Sequence, residues 1–207
     1  MRTTLILLLG MLLFSACTTY QYVRIDSNQL QKDKKDLFTM ENDTMRLVYS
    51  FSGAGGNVTV SVFNKTSQPF YIDWSRSSII RNDQSFTLQR RDAELIPPQT
   101  SISDIVLNLN EQGGGIPKMT IPDTAHTRFL QSQSGTYERY HEVDFSESAS
   151  PIRLKSYLTF LMGTPAETTD RVLTHTFYVG AAMHTGVYPS AFGRYHDPGA
   201  TLYVWFQ

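Results

Sequence analysis

Five histidines, one cysteine and a run of carboxylates are the residues from which bond-making chemistry would have to come in this 207-residue chain. The histidines are His126, His141, His175, His184 and His196. None stands in an HExxH run or an i, i+4 pair, the spacings that put two imidazoles on one metal ion. His175 alternates with Leu173, Phe177 and Val179 and so reads as a satisfied core histidine. His184, His196 and Asp197 would make at most a weak zinc site, and no metal is expected. Glu138, Glu142, Asp144 and Glu147 are the material for glycosidase chemistry, which needs two carboxylates about 5 to 10 Å apart across a cleft. Crowded into one polar stretch, they read instead as a solvated loop. There is no G-x-S-x-G elbow to expose a serine nucleophile. Gly113 to Gly115 run into Ile116-Pro117 and not into a helix N-terminus that could cradle phosphate. No catalytic residue and no cofactor site is expected.

The cysteine has more specific surroundings. Arg2 is followed by an apolar run, Leu5 to Phe14, then by the small residues Ser15-Ala16 and by Cys17. At ~1.5 Å per residue, a helix over that run covers only about half of a ~30 Å bilayer core. It reads as an export leader, not a spanning helix. Small residues directly before a cysteine resemble the lipobox of bacterial lipoproteins, although Phe14 stands where leucine is usual. The resemblance implies a signal peptide over residues 1–16, cleavage before Cys17, and a triacylated, palmitate-bearing cysteine that anchors the protein to the bilayer. A lone thiol is otherwise a liability in an exported protein, where cysteines pair. Thr18 occupies the position where aspartate would hold such a protein at the inner membrane, so an outer-membrane location is expected.

The remaining residues, 17–207, suffice for one domain with a full core. The formal net charge is -1, with Lys and Arg scattered, and the densest charged stretch, Lys32-Asp33-Lys34-Lys35-Asp36, alternates in sign. That is no nucleic-acid footprint. Aromatic content of 12% favours strands over disorder.

After the leader the hydrophobic period is two, not 3.6. Tyr20 to Ile25 alternates, and Met45, Leu47, Tyr49 and Phe51 share one face. Gly53 to Asn57 supplies a turn before Val58, Val60 and Val62, which predicts a hairpin over residues 45–64. Phe70, Ile72 and Trp74 lie opposite Tyr71 and Asp73, with Trp74 in the core and Tyr71 and Asp73 facing out. Further strands are expected at 79–80, 86–88, 101–109, 152–162, 172–179 and 201–206, around turns such as Arg81 to Gln84. About nine or ten strands at this spacing predict an all-β domain, a two-sheet antiparallel sandwich. Residues 110–150 are the least regular, and Gln112 to Pro117 and Gln131 to Gly135 read as mobile loops suited to recognition.

Several segments are similar to a group of uncharacterised cell-envelope lipoproteins of Bacteroidota. They are Tyr20-Gln21-Tyr22-Val23, Val62-Phe63-Asn64-Lys65-Thr66, Phe70 to Trp74, Ser77 to Asn82, Ser150-Pro151-Ile152 and His175 to Val179. The resemblance implies an immunoglobulin-like sandwich in the envelope and carries no catalytic residue with it.

Exposed aromatics are the remaining candidates for binding. With Leu202, Val204 and Phe206 on the core face, Tyr203 and Trp205 point away from it, as Tyr71 does on its own strand. Such rings stack on sugars, anchor protein partners, or are covered by a loop or by residues 18–23. Asp43-Thr44-Met45 and Asp123-Thr124-Ala125 match a short O-glycosylation pattern of Bacteroidota, with Thr44 and Thr124 as acceptors. The expectation is a non-enzymatic lipoprotein whose domain binds or braces an envelope protein. The alternatives are a glycan-binding accessory lipoprotein and a hydrolase with a non-motif active site.

Overall fold

The computed structural model describes residues 19–88, 92–112, 115–122, 125–131, 137–164, 167–189 and 201–206. In chain order the first eight strands are β1 (Thr19–Asp26), β2 (Gln31–Lys32), β3 (Phe38–Glu41), β4 (Met45–Ala54), β5 (Asn57–Asn64), β6 (Phe70–Arg81), β7 (Gln84–Thr87) and β8 (Ala93–Ile96). They are followed by β9 (Ser101–Asn108), the single-turn helix α1 (Leu109–Gln112), β10 (His126–Gln131), β11 (Tyr137–Asp144), β12 (Arg153–Thr164), β13 (Glu167–Thr185) and β14 (Thr201–Phe206). A 3-10 turn at Glu147–Ala149 precedes β12. The domain is all-β, as the period-two pattern requires.

The fourteen strands among the described residues form one mixed sheet with the central order β2-β3-β4-β14-β1-β13-β12-β6-β7. β5 adds to β4, β9 to β5, β8 to β6, β11 to β13 and β10 to β11. The one parallel pairing among the described residues lies between β14 and β4, Leu202 with Gly53 and Tyr203 with Ala54. It joins two otherwise antiparallel arms. β13 is long enough to serve two partners on one edge, β12 along residues 167–178 and β11 along 181–184.

The arms fold over a common core. Phe177 of β13 sits among Phe38 of β3 and Tyr49 and Phe51 of β4, with ring centroids 5.2, 4.9 and 4.8 Å away. Trp74 is buried, as expected, and its indole N–H donates to Glu94 at 3.0 Å. The β4–β5 hairpin closes through Gly55 and Gly56, both at positive φ (71° and 83°). A Cβ on Gly56 would meet Ile116 and Leu202 at 3.2 Å, so both backbone freedom and space call for glycine there. Asn82 and Asp83, also at positive φ, turn β6 into β7 where a turn was expected.

Two expectations need correction. Residues 110–150 are not simply loop, since β10 and β11 form a hairpin there, and Ile116 and Met119 are buried in the core. Glu138, Glu142 and Asp144 therefore belong to a strand, and Glu142 is buried. Asp73 does not face solvent. β6 bulges between Asp73 and Ser78, which pair with Thr159 and Tyr157 of β12. The bulge turns the Asp73 carboxylate inward to accept from Ser75 Oγ (2.6 Å) and from the Arg76 guanidinium (3.2 Å).

Candidate functional site

β14, β1, β13 and β11 lie side by side, and their register gathers one row of side chains. Tyr203 pairs with Tyr22, Tyr22 with Met183, and Met183 with Glu142. Paired residues share a face, so this row lies on the side away from the Phe177 core. It forms a second, smaller cluster. Tyr22, Tyr140, Met183 and Val187 are buried in it, with Tyr20 and Tyr203 half-buried against them. The rings of Tyr20 and Tyr203 lie 6.3 and 6.0 Å from that of Tyr22. Tyr22 donates its hydroxyl to the Val187 carbonyl at 2.6 Å, and burial raises its pKa. The chain after β13 thus closes over this face.

Toward the other end of β1 the same face becomes ionic. Arg24 reaches Asp26 (3.3 Å), Glu142 (3.2 Å) and Asp144 (3.1 Å). Arg128 reaches the other oxygen of Glu142 at 3.3 Å, and Lys32 pairs with Asp26. Burial by itself would lower the Arg24 pKa, but the three carboxylates outweigh it and raise it. Glu142, buried under two guanidinium groups, is a structural acceptor here.

Gln21, on the opposite face of β1, is fully buried and holds the segment that the sequence left irregular. Its amide donates to the Pro117 carbonyl at 2.9 Å, and its oxygen accepts from the Met119 N–H at 2.6 Å. His184 Nε2 sits 2.9 Å from the same oxygen. A third polar cluster lies in the main core, where the Tyr49 hydroxyl is 2.9 Å from Ser156 Oγ and 3.0 Å from His175 Nδ1. Burial raises the tyrosine pKa and lowers that of the imidazole. Ser156 lies across from His175 in register, but its hydroxyl contacts the histidine's carbonyl at 3.4 Å and not its ring. The Tyr49 hydroxyl thus links the Ser156 hydroxyl and the His175 ring within the core.

On the outer surface of β12 there is an open groove of about 300 Å³, lined by Ile80, Asp83, Glu147, Arg153, Lys155 and Tyr157 among others. Lys155 Nζ stands 4.9 Å from the Tyr157 ring centroid, a cation–π contact. The groove offers an aromatic side, both signs of charge and hydrogen-bonding groups, which suits a polar ligand.

The expected site residues do not converge. Tyr71 is 43% exposed on β6, opposite Leu95. Its β12 partner Leu161 lies beside Asp170 of β13, thirteen residues from Met183, which is Tyr203's level. The two tyrosines cannot form one platform. Trp205 pairs with Tyr20 in register, but its side chain lies outside the described residues, as do Cys17, Thr124, His196 and Asp197. Thr44 is half-buried in the β3–β4 turn, its N–H held by Asn42 Oδ1 at 2.8 Å. His184 spends its Nε2 on Gln21, and among the described residues no three His, Cys, Asp or Glu side chains are grouped to hold a metal. Sequence reasoning missed Gln21, the ionic cluster and the groove. Alternation with Tyr20 and Tyr22 could have placed Arg24 on the outer face of β1, but two of its three acidic partners lie 118 and 120 residues away.

No helix among the described residues is long and apolar enough to cross a membrane. Compared with family models, curated proteins and solved structures, the chain matches none.

Proposed function

We propose that this chain is a lipid-anchored protein of the bacterial envelope, acylated at Cys17, whose β domain binds or braces a neighbouring envelope component without chemistry of its own. The observation that carries the reading is how little chain separates anchor from fold. β1 opens at Thr19, two residues after Cys17, and is paired along both edges, to β13 and to β14. Two extended residues reach about 7 Å, so an acylated Cys17 holds the domain against the bilayer with no stalk. Such a placement suits bracing and short-range contact. The polar groups in the core support the non-catalytic side of the reading, since Tyr49, Ser156 and His175 are bonded to one another below the surface.

Within this proposal the fold is a two-sheet, immunoglobulin-like sandwich of the kind found in the Bacteroidota lipoproteins that the Tyr20 to Val23 and Phe70 to Trp74 segments resemble. The packing of Phe177 from one arm among three rings from the other supports it. The outer membrane is the proposed location, from Thr18. A glycan-binding role is the second reading, favoured by the groove at Tyr157 and Lys155, where a sugar ring would stack and hydrogen-bond.

The test is Cys17→Ala. Wild type should incorporate labelled palmitate and stay with membranes through a high-salt wash, whereas the variant should do neither. A variant that remains membrane-bound without acyl label would refute the anchor. Capture of the acylated protein from native membranes, with and without Tyr157→Ala, separates the two readings. Loss of bound glycan on that change would favour the second.

A further inference from the structure

Three aromatic rings are far more exposed than the rest among the described residues: Tyr137 at 70%, Tyr188 at 67% and Phe129 at 66%. They come from three separate segments, yet the register puts them at one end of the sheet. Gln21 pairs with His184, and His184 with His141. Tyr137 lies four residues before His141 on β11, just as Cys17 lies four before Gln21. Phe129 pairs with Arg139, two residues before His141, which is the level of Thr19. Tyr188 lies four residues beyond His184, and its ring is 5.7 Å from that of Tyr20. Tyr137, Phe129 and Tyr20, against which the Tyr188 ring packs, thus fall within about three residues of strand length, roughly 10 Å, at the end of β1 from which the sequence runs back to Cys17.

We infer that this end of the sheet rests on the bilayer, with Phe129, Tyr137 and Tyr188 seated at the headgroup level around the acylated Cys17. The inference rests on the lipid-anchor reading and adds to it an orientation and a contact surface. Phe129 and Tyr137 share one face of the β10–β11 hairpin, since Phe129 pairs with Arg139 and Gln131 with Tyr137. Tyr20 and Tyr22 occupy the other face of the sheet, where Tyr188 stacks. The rim therefore carries rings on both sides of the sheet, flanking the strand that leads from the anchor. Tyr and Phe present an apolar body that enters the acyl boundary, and tyrosine adds a hydroxyl for the headgroups. Arg139, exposed and directly opposite Phe129, supplies a cation for lipid phosphate. Away from the rim the outer face changes to the ionic cluster of Arg24, Asp26 and Asp144, groups that belong in water. The acyl chains supply retention, and the rings fix which way the domain stands.

The experiment uses the acylated protein in vesicles of phosphatidylethanolamine and phosphatidylglycerol. Acylation consumes Cys17, so a second cysteine can be labelled alone. Phe129→Cys, Tyr137→Cys and Tyr188→Cys each receive a nitroxide. Thr169→Cys, exposed on β13 and fifteen residues before His184, is the control. Each variant is first required to melt with the wild-type transition. The expected result is a severalfold higher ratio of oxygen to water-soluble nickel collisions at 129, 137 and 188 than at 169. Equal, water-like ratios at all four sites on protein carrying the acyl label would overturn the orientation and leave the anchor standing. Protection from both collision agents at the three sites would mean that a second copy or another protein covers the rim, which also overturns it. Absence of acyl label on residue 17 would remove the anchor reading and this inference together.

Discussion

Phe177→Ala is the sharpest test of how the sheet is folded. The ring is buried, 2% exposed, and touches three aromatic rings that belong to the other arm. Truncating a buried phenylalanine costs about 3 to 5 kcal/mol, through lost transfer energy and the cavity left behind. Each aromatic pair adds ~0.5 to 1.5 kcal/mol beyond its buried area, which places this site at the upper end of that range. A domain of this size loses roughly 2 to 4 °C of Tm per kcal/mol, so a fall of about 10 to 20 °C is expected. Urea unfolding followed by tryptophan fluorescence would measure it as a lower midpoint at unchanged slope. Val172→Ala is the internal control, on the same strand but 54% exposed, and should cost under about 1 kcal/mol. A Phe177→Ala loss no larger than that of the control would refute the packing of β13 against β3 and β4.

Gln21→Leu should strand the Met119 N–H in the interior, at about 1 to 3 kcal/mol, and release the Pro117 carbonyl. The Met119 amide should then exchange with solvent much faster than in wild type, and unchanged exchange would contradict the clamp. Stability should also fall in mild acid. Burial lowers the His175 pKa below its ordinary 6.5, and burial together with Lys118 lowers that of His184. The unfolded chain then takes up protons near pH 6.5 that the folded one refuses. This contribution is complete above pH 6.5 and is lost as the pH falls through the lower folded values. His175→Gln should lower Tm at neutral pH and flatten its decline as the pH falls below 6.5. A decline as steep as wild type's would assign the acid loss elsewhere.

What the sequence disclosed was what depends on neighbours in the chain. The β4–β5 hairpin, the Asn82-Asp83 turn and the burial of Trp74 and His175 all follow from alternation and turn chemistry within a few residues. Other features were hidden because they are settled by distant pairings. β2, β7 and β8 are only two to four residues long, too short to show a period. The β10–β11 stretch carries Arg128, Arg139, Glu138 and Glu142 and so reads as loop, yet it is held by β13 and by a guanidinium from β1. Gln21 looks like a surface residue in a half-buried strand. It is buried because β1 is central and covered on both faces, a fact that no local pattern contains.

The position of β1 also sets an order in time. Its partners are residues 178–185 of β13 and 201–206 of β14, so its ladder spans nearly the whole chain. As synthesis proceeds from the N-terminus, β4 and β5 can zip locally, but β1 must wait, both edges open, until those late segments arrive. Folds dominated by such distant pairings close slowly, on the order of milliseconds to seconds. A strand whose two edges are filled by segments more than 150 residues further on stays open until both have been made, and it locks only when β14 slides in beside β1 and β4.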